Sequence, residues 1–106
     1  MNEINNIIVA ALALVMLAGC AWVKLEPGAE EVRVLEGGGT AGCERLGQIT
    51  ASVRDRVAAV QRRATKVEEE LATLARNSAL ELGGDTIVPL GPVDDGQRSF
   101  AVYRCR

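Results

Sequence analysis

At 106 residues the chain is one domain at most, and its 12 Lys and Arg against 14 Asp and Glu give no electrostatic case for nucleic-acid binding. Histidine is absent, which removes the commonest general base and metal ligand and weakens every nucleophile–base scheme. Aromatic side chains are confined to Trp22, Phe100 and Tyr103, so the core must be aliphatic, and a covalent staple would matter to so small a domain.

The first element is an unbroken apolar run, IIVAALALVMLAG, over residues 7–19. Its length suits the h-region of a signal peptide and is short for a membrane span. The run ends in Leu17-Ala18-Gly19-Cys20, which resembles the lipobox of bacterial lipoproteins, where small residues let a peptidase seat the backbone. That resemblance implies cleavage before Cys20, diacylation of its thiol and acylation of the new amine, more than the two-signal minimum for stable anchoring. Residue 21 is Ala rather than the Asp that tends to hold such lipoproteins in the inner membrane. The resemblance therefore implies the cell outer membrane, with the domain facing the periplasm. The alternatives are a single N-terminal transmembrane helix and a buried structural cysteine. The leader MNEINN carries no Lys or Arg, and Ala21, Trp22 and Val23 extend the run to the lower limit for a span. Lys24 would then draw the C-terminal side toward the cytoplasm. The expected organisation is a lipoprotein-type signal peptide over 1–19, a lipidated tether over 20–29 and a folded domain over 30–106.

Pro27-Gly28 interrupts the tether. EEVRVLE, residues 30–36, places Val32 and Val34 on one face and predicts a first strand. GGGTAG, residues 37–42, lacks a following Lys-Ser/Thr and reads as a connection rather than a phosphate loop. CERLGQITASV, residues 43–53, predicts a second strand hairpinned to the first. From Val53 the apolar period changes: Val53, Val57, Val60, Ala64, Val67, Leu71 and Leu74 recur at spacings of four and three, as on one stripe of a long helix ending near Leu82. Thr65-Lys66-Val67-Glu68 has the form of a capping box, so the helix could restart there, with 54–63 a separate turn or helix. Gly83-Gly84 supplies the left-handed terminus. DTIVPL, residues 85–90, predicts a third strand, with Pro89 at an edge or at its end. Asp95-Gly96 signals a turn, and RSFAVYRCR alternates Phe100 and Val102 against Ala101, Tyr103 and Cys105. The fold class is α+β, β-β-α-β-β, a four-stranded mainly antiparallel sheet covered by one long amphipathic helix.

Cys43 opens the second strand and Cys105 closes the last. In an exported, oxidising setting they are expected to form a structural disulfide; a labile redox bridge and free thiols are the other readings. Their separation excludes a C-x-x-C redox motif, and two cysteines without histidine make a poor metal site. Asp85, Asp94 and Asp95 match no calcium loop and read as solvated turn residues. Asn77 is read as a partner for strand or loop backbone rather than as a ligand contact.

Taken together, the lipobox, VRVLE, CERLGQITAS, LARNSALELGGDTIV and FAVYRCR resemble the small bacterial lipoproteins of domain-of-unknown-function family 4156. More distantly they are similar to the sensor lipoprotein of the Rcs envelope-stress pathway, although the sensor's second cysteine pair and basic proline-rich linker are missing. The motifs that carry the resemblance are Cys43-x-x-Leu46-Gly47, Asn77-x-Ala79-x-x-Leu82-Gly83-Gly84 and Val102-Tyr103-x-Cys105. Gly47 is expected to permit close helix–strand approach, and the two cysteines to meet at one end of the sheet. The expected function is a non-catalytic envelope lipoprotein presenting an interaction or sensing domain to a periplasmic or outer-membrane protein. A structural or assembly accessory is the alternative. No cofactor, metal or enzymatic activity is expected.

Overall fold

The computed structural model describes residues 23–57 and 60–106. Leu17, Ala18, Gly19 and Cys20 lie outside them, as does the whole apolar run. A short 3-10 turn, Ala29–Glu31, is followed by β1 (Arg33–Val34), β2 (Glu44–Ser52), β3 (Arg56–Val57), β4 (Val60–Gln61), α1 (Ala64–Glu81), β5 (Thr86–Pro89) and β6 (Gln97–Arg104). One helix and a four-stranded mixed sheet make the domain α+β.

The sheet order is β1-β5-β6-β2. Two pairings are antiparallel, β5 with β6 and β6 with β2, while β1 runs parallel to β5. The expected hairpin between the first two strands is therefore absent, and they form opposite edges. What decides this is a parallel ladder: Arg33 N–H donates to the Asp85 carbonyl at 3.0 Å and Leu35 N–H to the Ile87 carbonyl at 2.9 Å. The glycine-rich stretch then has to cross three inter-strand spacings, about 14 Å in all. Gly37, Gly38, Gly39 and Gly42 all adopt positive φ on the way, from 80 to 119°. Pro89 ends the ladder. The next donor that the β1–β5 pattern requires from β5 is residue 89, and proline has no N–H to give.

The helix begins at Ala64, not near Val53. Val53 N–H donates to the Gly96 carbonyl at 2.8 Å, which continues the β2 edge instead of opening a helical turn. β3 and β4 then form a small hairpin of their own. Val60, expected on the helical stripe, is 68% exposed. The capping box is also unformed: the N-cap is Arg63, without a side-chain cap, and Thr65 lies inside the first turn. At the other end Gly83 (φ 80°) donates to the Leu80 carbonyl and Gly84 to the Ala79 carbonyl, a Schellman terminus.

Val67, Leu71, Ala75 and Ala79 are the buried row of α1. They pack on Ile87, Phe100, Val102 and Ala51, with Val32 closing one end. The alanines let the helix approach the sheet closely. The tightest glycine in this layer is Gly84, not Gly47. A Cβ on Gly84 would lie 2.5 Å from Val102 Cγ1 and 3.1 Å from the Tyr103 carbonyl oxygen, whereas nothing lies within 4 Å of a Cβ on Gly47. Gly47 instead follows a β-bulge: Arg45 pairs Tyr103 and Gly47 pairs Val102, leaving Leu46 as the extra residue, packed against the core. Gly84→Ala is accordingly expected to cost about 1–3 kcal/mol in urea unfolding, and Gly47→Ala less than about 0.5 kcal/mol. Equal midpoints for the two variants would contradict this assignment.

Candidate functional site

The polar chemistry of the domain gathers at its two ends. At the tether end, Asn77 projects from the last turns of α1 and holds the incoming chain. Its Oδ1 accepts from Glu26 N–H at 2.8 Å and its Nδ2 donates to the Lys24 carbonyl at 2.8 Å. The expected backbone partner is thus the tether itself. Gly28, at φ 93°, then turns the chain into the 3-10 segment.

Beside it, Cys43 and Cys105 are joined in a disulfide, with Cα atoms 4.4 Å apart and a sequence separation of 62. The bridge ties the end of β6 to the loop that enters β2. The adjoining Glu44–Arg104 ion pair, at 2.6 Å, is largely exposed and adds little. Tyr103 is half-buried and pairs with Thr86 and Arg45 on the sheet face away from the helix.

Asp85 was expected to be a solvated turn residue and is not. Its Oδ1 accepts from Cys105 N–H at 2.9 Å and from the Thr86 hydroxyl at 2.9 Å, and its Oδ2 accepts from Arg106 N–H at 3.1 Å. These donors, the Cys105 N–H foremost, hold the Asp85 carboxyl below the usual aspartate range against the opposing effect of partial burial. A carboxylate depressed in the folded state contributes stability that is complete above the unfolded value, about 4, and is lost as pH falls through the lower folded value. Asp85→Asn is therefore expected to be less stable at neutral pH and to show a shallower loss between about pH 4 and 2. Glu70, also depressed, retains part of that slope. Urea titrations across that range give the test, and an unchanged acid slope would refute the role.

At the opposite end, the β3–β4 hairpin is clamped to the helix. Arg62 N–H donates to the Asp55 carbonyl at 2.7 Å, and its guanidinium meets Glu70 through two bonds of 2.9 and 2.6 Å and the Arg54 carbonyl at 2.9 Å. The bidentate bond from Arg62 lowers the Glu70 carboxyl from its ordinary value. Between hairpin, helix start and the 92–96 loop lies a cavity of about 310 Å³, lined among others by Asp55, Gln61, Arg62, Glu68, Val93 and Asp95. Its floor is set by a tight turn with positive φ at Asp95 (52°) and Gly96 (72°), the Asp-Gly arrangement that such a turn favours. The cavity offers carboxylates and an amide beside the apolar surface of Val67 and Val93. Among the described residues no group of three or more His, Cys, Asp or Glu could hold a metal ion, and no helix is long and apolar enough to cross a membrane.

The disulfide and the Asn77 contact join residues that the sequence singles out. The Arg62–Glu70 clamp does not, and Asp85 is singled out only as a solvated turn residue, since charged residues near turns carry no signal of their partners. Compared with known proteins, residues 23–105 match the model of a family described as Domain of unknown function (DUF4156). No curated protein and no solved structure matches the chain.

Proposed function

The chain belongs to the DUF4156 family, and we propose that it is a non-catalytic lipoprotein of the bacterial cell envelope, presenting a small interaction or sensing domain to a periplasmic partner. The observation that carries this reading is the arithmetic of the thiols. Of three cysteines, Cys43 and Cys105 are bonded to each other. Cys20 is left over, and it stands where the apolar run closes on Leu17-Ala18-Gly19. A structural bridge is at home in an oxidising compartment, and a lipidated cysteine is delivered to one. In this reading Cys20 holds the domain to the outer membrane and the hairpin-end cavity receives the partner. A sensing role, the expectation raised by the resemblance of the sequence motifs to the Rcs sensor lipoprotein, would use the same cavity.

The test is acyl labelling. Cys20→Ser is expected to abolish palmitate incorporation and to release the protein from the membrane fraction. Continued incorporation in that variant would sink the lipobox assignment. Photo-crosslinking in cells from Gln61 is expected to capture an envelope protein, whereas the same probe at Glu44 captures none.

A further inference from the structure

The Asn77 clamp fixes where the domain starts relative to its anchor. From Lys24 onward the chain is docked on α1 through two bonds of 2.8 Å. Only Ala21, Trp22 and Val23 separate Lys24 from Cys20. Four Cα steps reach about 14 Å even when fully extended. The headgroup layer on one side of a bilayer is itself about 5–8 Å deep, so an acylated Cys20 leaves the clamped end almost no height above the lipid.

Among the described residues three of the five large exposed hydrophobic side chains lie at that end, the other two being Val60 on the hairpin and Leu90 after β5. Leu25 is 38% exposed, Leu80 36% and Leu82 48%. Leu25 lies between the two residues that Asn77 holds, and Leu80 and Leu82 flank the helix terminus beside them. Trp22, in the linking segment, is the residue type that prefers the headgroup level. Nearby charges are of both signs, Lys24, Glu26, Glu81 and Arg106, so the attraction is apolar and not that of a basic patch.

We propose that the tether end of the domain, where Leu25, Leu80 and Leu82 are exposed around the helix terminus, rests on the membrane surface, its occupant being lipid, so that the domain is seated on the bilayer with the hairpin end directed away. This rests on the lipid-anchor reading above. The hairpin lies at the far end of an 18-residue helix, about 27 Å from the leucines.

The test uses the full lipoprotein purified from membranes and reconstituted in phosphatidylethanolamine–phosphatidylglycerol vesicles containing dibrominated phosphatidylcholine. In a Trp22→Phe background, Leu82→Trp reports the tether end and Val60→Trp the hairpin. Bromine is expected to remove about half of the Leu82→Trp emission and to leave that of Val60→Trp nearly unchanged, as for a side chain at the acyl boundary. Adding Asn77→Ala lengthens the free tether and is expected to lower the quenching in Leu82→Trp while the acyl mass stays the same. Equal quenching at both positions, or none at Leu82→Trp, overturns the proposal. A blue-shifted but unquenched Leu82→Trp emission assigns that end to protein instead, either a second copy or a partner. Intact mass on the same sample separates the two readings. Acylated but unquenched protein defeats only the seating; protein without acyl chains defeats the anchor and the seating together.

Discussion

Replacing both cysteines of the Cys43–Cys105 bridge with alanine is expected to lower the free energy of unfolding by about 4 kcal/mol. The 62-residue separation sets the figure: a loop of that length, closed in the unfolded chain, loses conformational freedom that the double variant regains. Little should change in the folded state, because β2 and β6 are paired from Glu44–Arg104 through Ser52–Gln97 without help from the sulfurs. The exception is the extreme end of β6, where Cys105 N–H also reaches Asp85, so faster hydrogen exchange is expected at residues 103–106. Domains of this size hold about 5–15 kcal/mol in total, and such a loss removes a large share of it. Urea midpoints of the oxidised protein and the Cys43→Ala/Cys105→Ala variant measure the effect. A difference under about 1 kcal/mol would show that the unfolded chain is already compact enough to gain little from the cross-link.

What the sequence discloses about this fold is its local physics. Gly83 terminates the helix because only glycine enters positive φ freely there, and that can be read from Leu82-Gly83-Gly84. Phe100 and Val102 face the helix because a strand alternates, and that too is legible. The Asp95-Gly96 turn has the same standing. Partner choice is different. The first strand joins β5 through bonds between Arg33 and Asp85 and between Leu35 and Ile87, some fifty residues apart. The glycine run that follows it looks the same whether it closes a hairpin or crosses the sheet. Val53, Val57 and Val60 match a helical stripe in spacing alone; the Gly96 carbonyl, which lies outside the stretch being read, and the Arg62–Glu70 clamp, whose pairing its spacing does not reveal, decide for a hairpin. Among the functional residues, the two cysteines pair through chemistry that a compartment implies. Asp85 carries no such mark, because two of its three donors are backbone N–H groups twenty and twenty-one residues away.

Leu71→Ala is expected to cost about 3 kcal/mol. Leu71 is fully buried at the middle of α1, in one cluster with Ile87, Phe100 and Val102. Its neighbours on the buried row, Val67 and Ala75, are short and cannot swing into the space, so the cavity stays open and the cost lies well above the transfer of the lost carbons alone. Leu74→Ala, at a half-buried position, should cost less, and Leu80→Ala, on the exposed face, within about 0.5 kcal/mol. An unchanged urea slope with a lowered midpoint identifies the loss as packing in the folded state. If Leu71→Ala unfolds no more easily than Leu80→Ala, α1 does not cover the sheet through this row. The bridge acts on the unfolded chain and Leu71 on the folded core, so the two losses should add. Their sum, about 7 kcal/mol, exceeds the lower range of domain stability. The triple variant is then expected to be unfolded without denaturant, and a cooperative urea transition in it would show that the remaining core holds more than burial of these few aliphatic side chains accounts for.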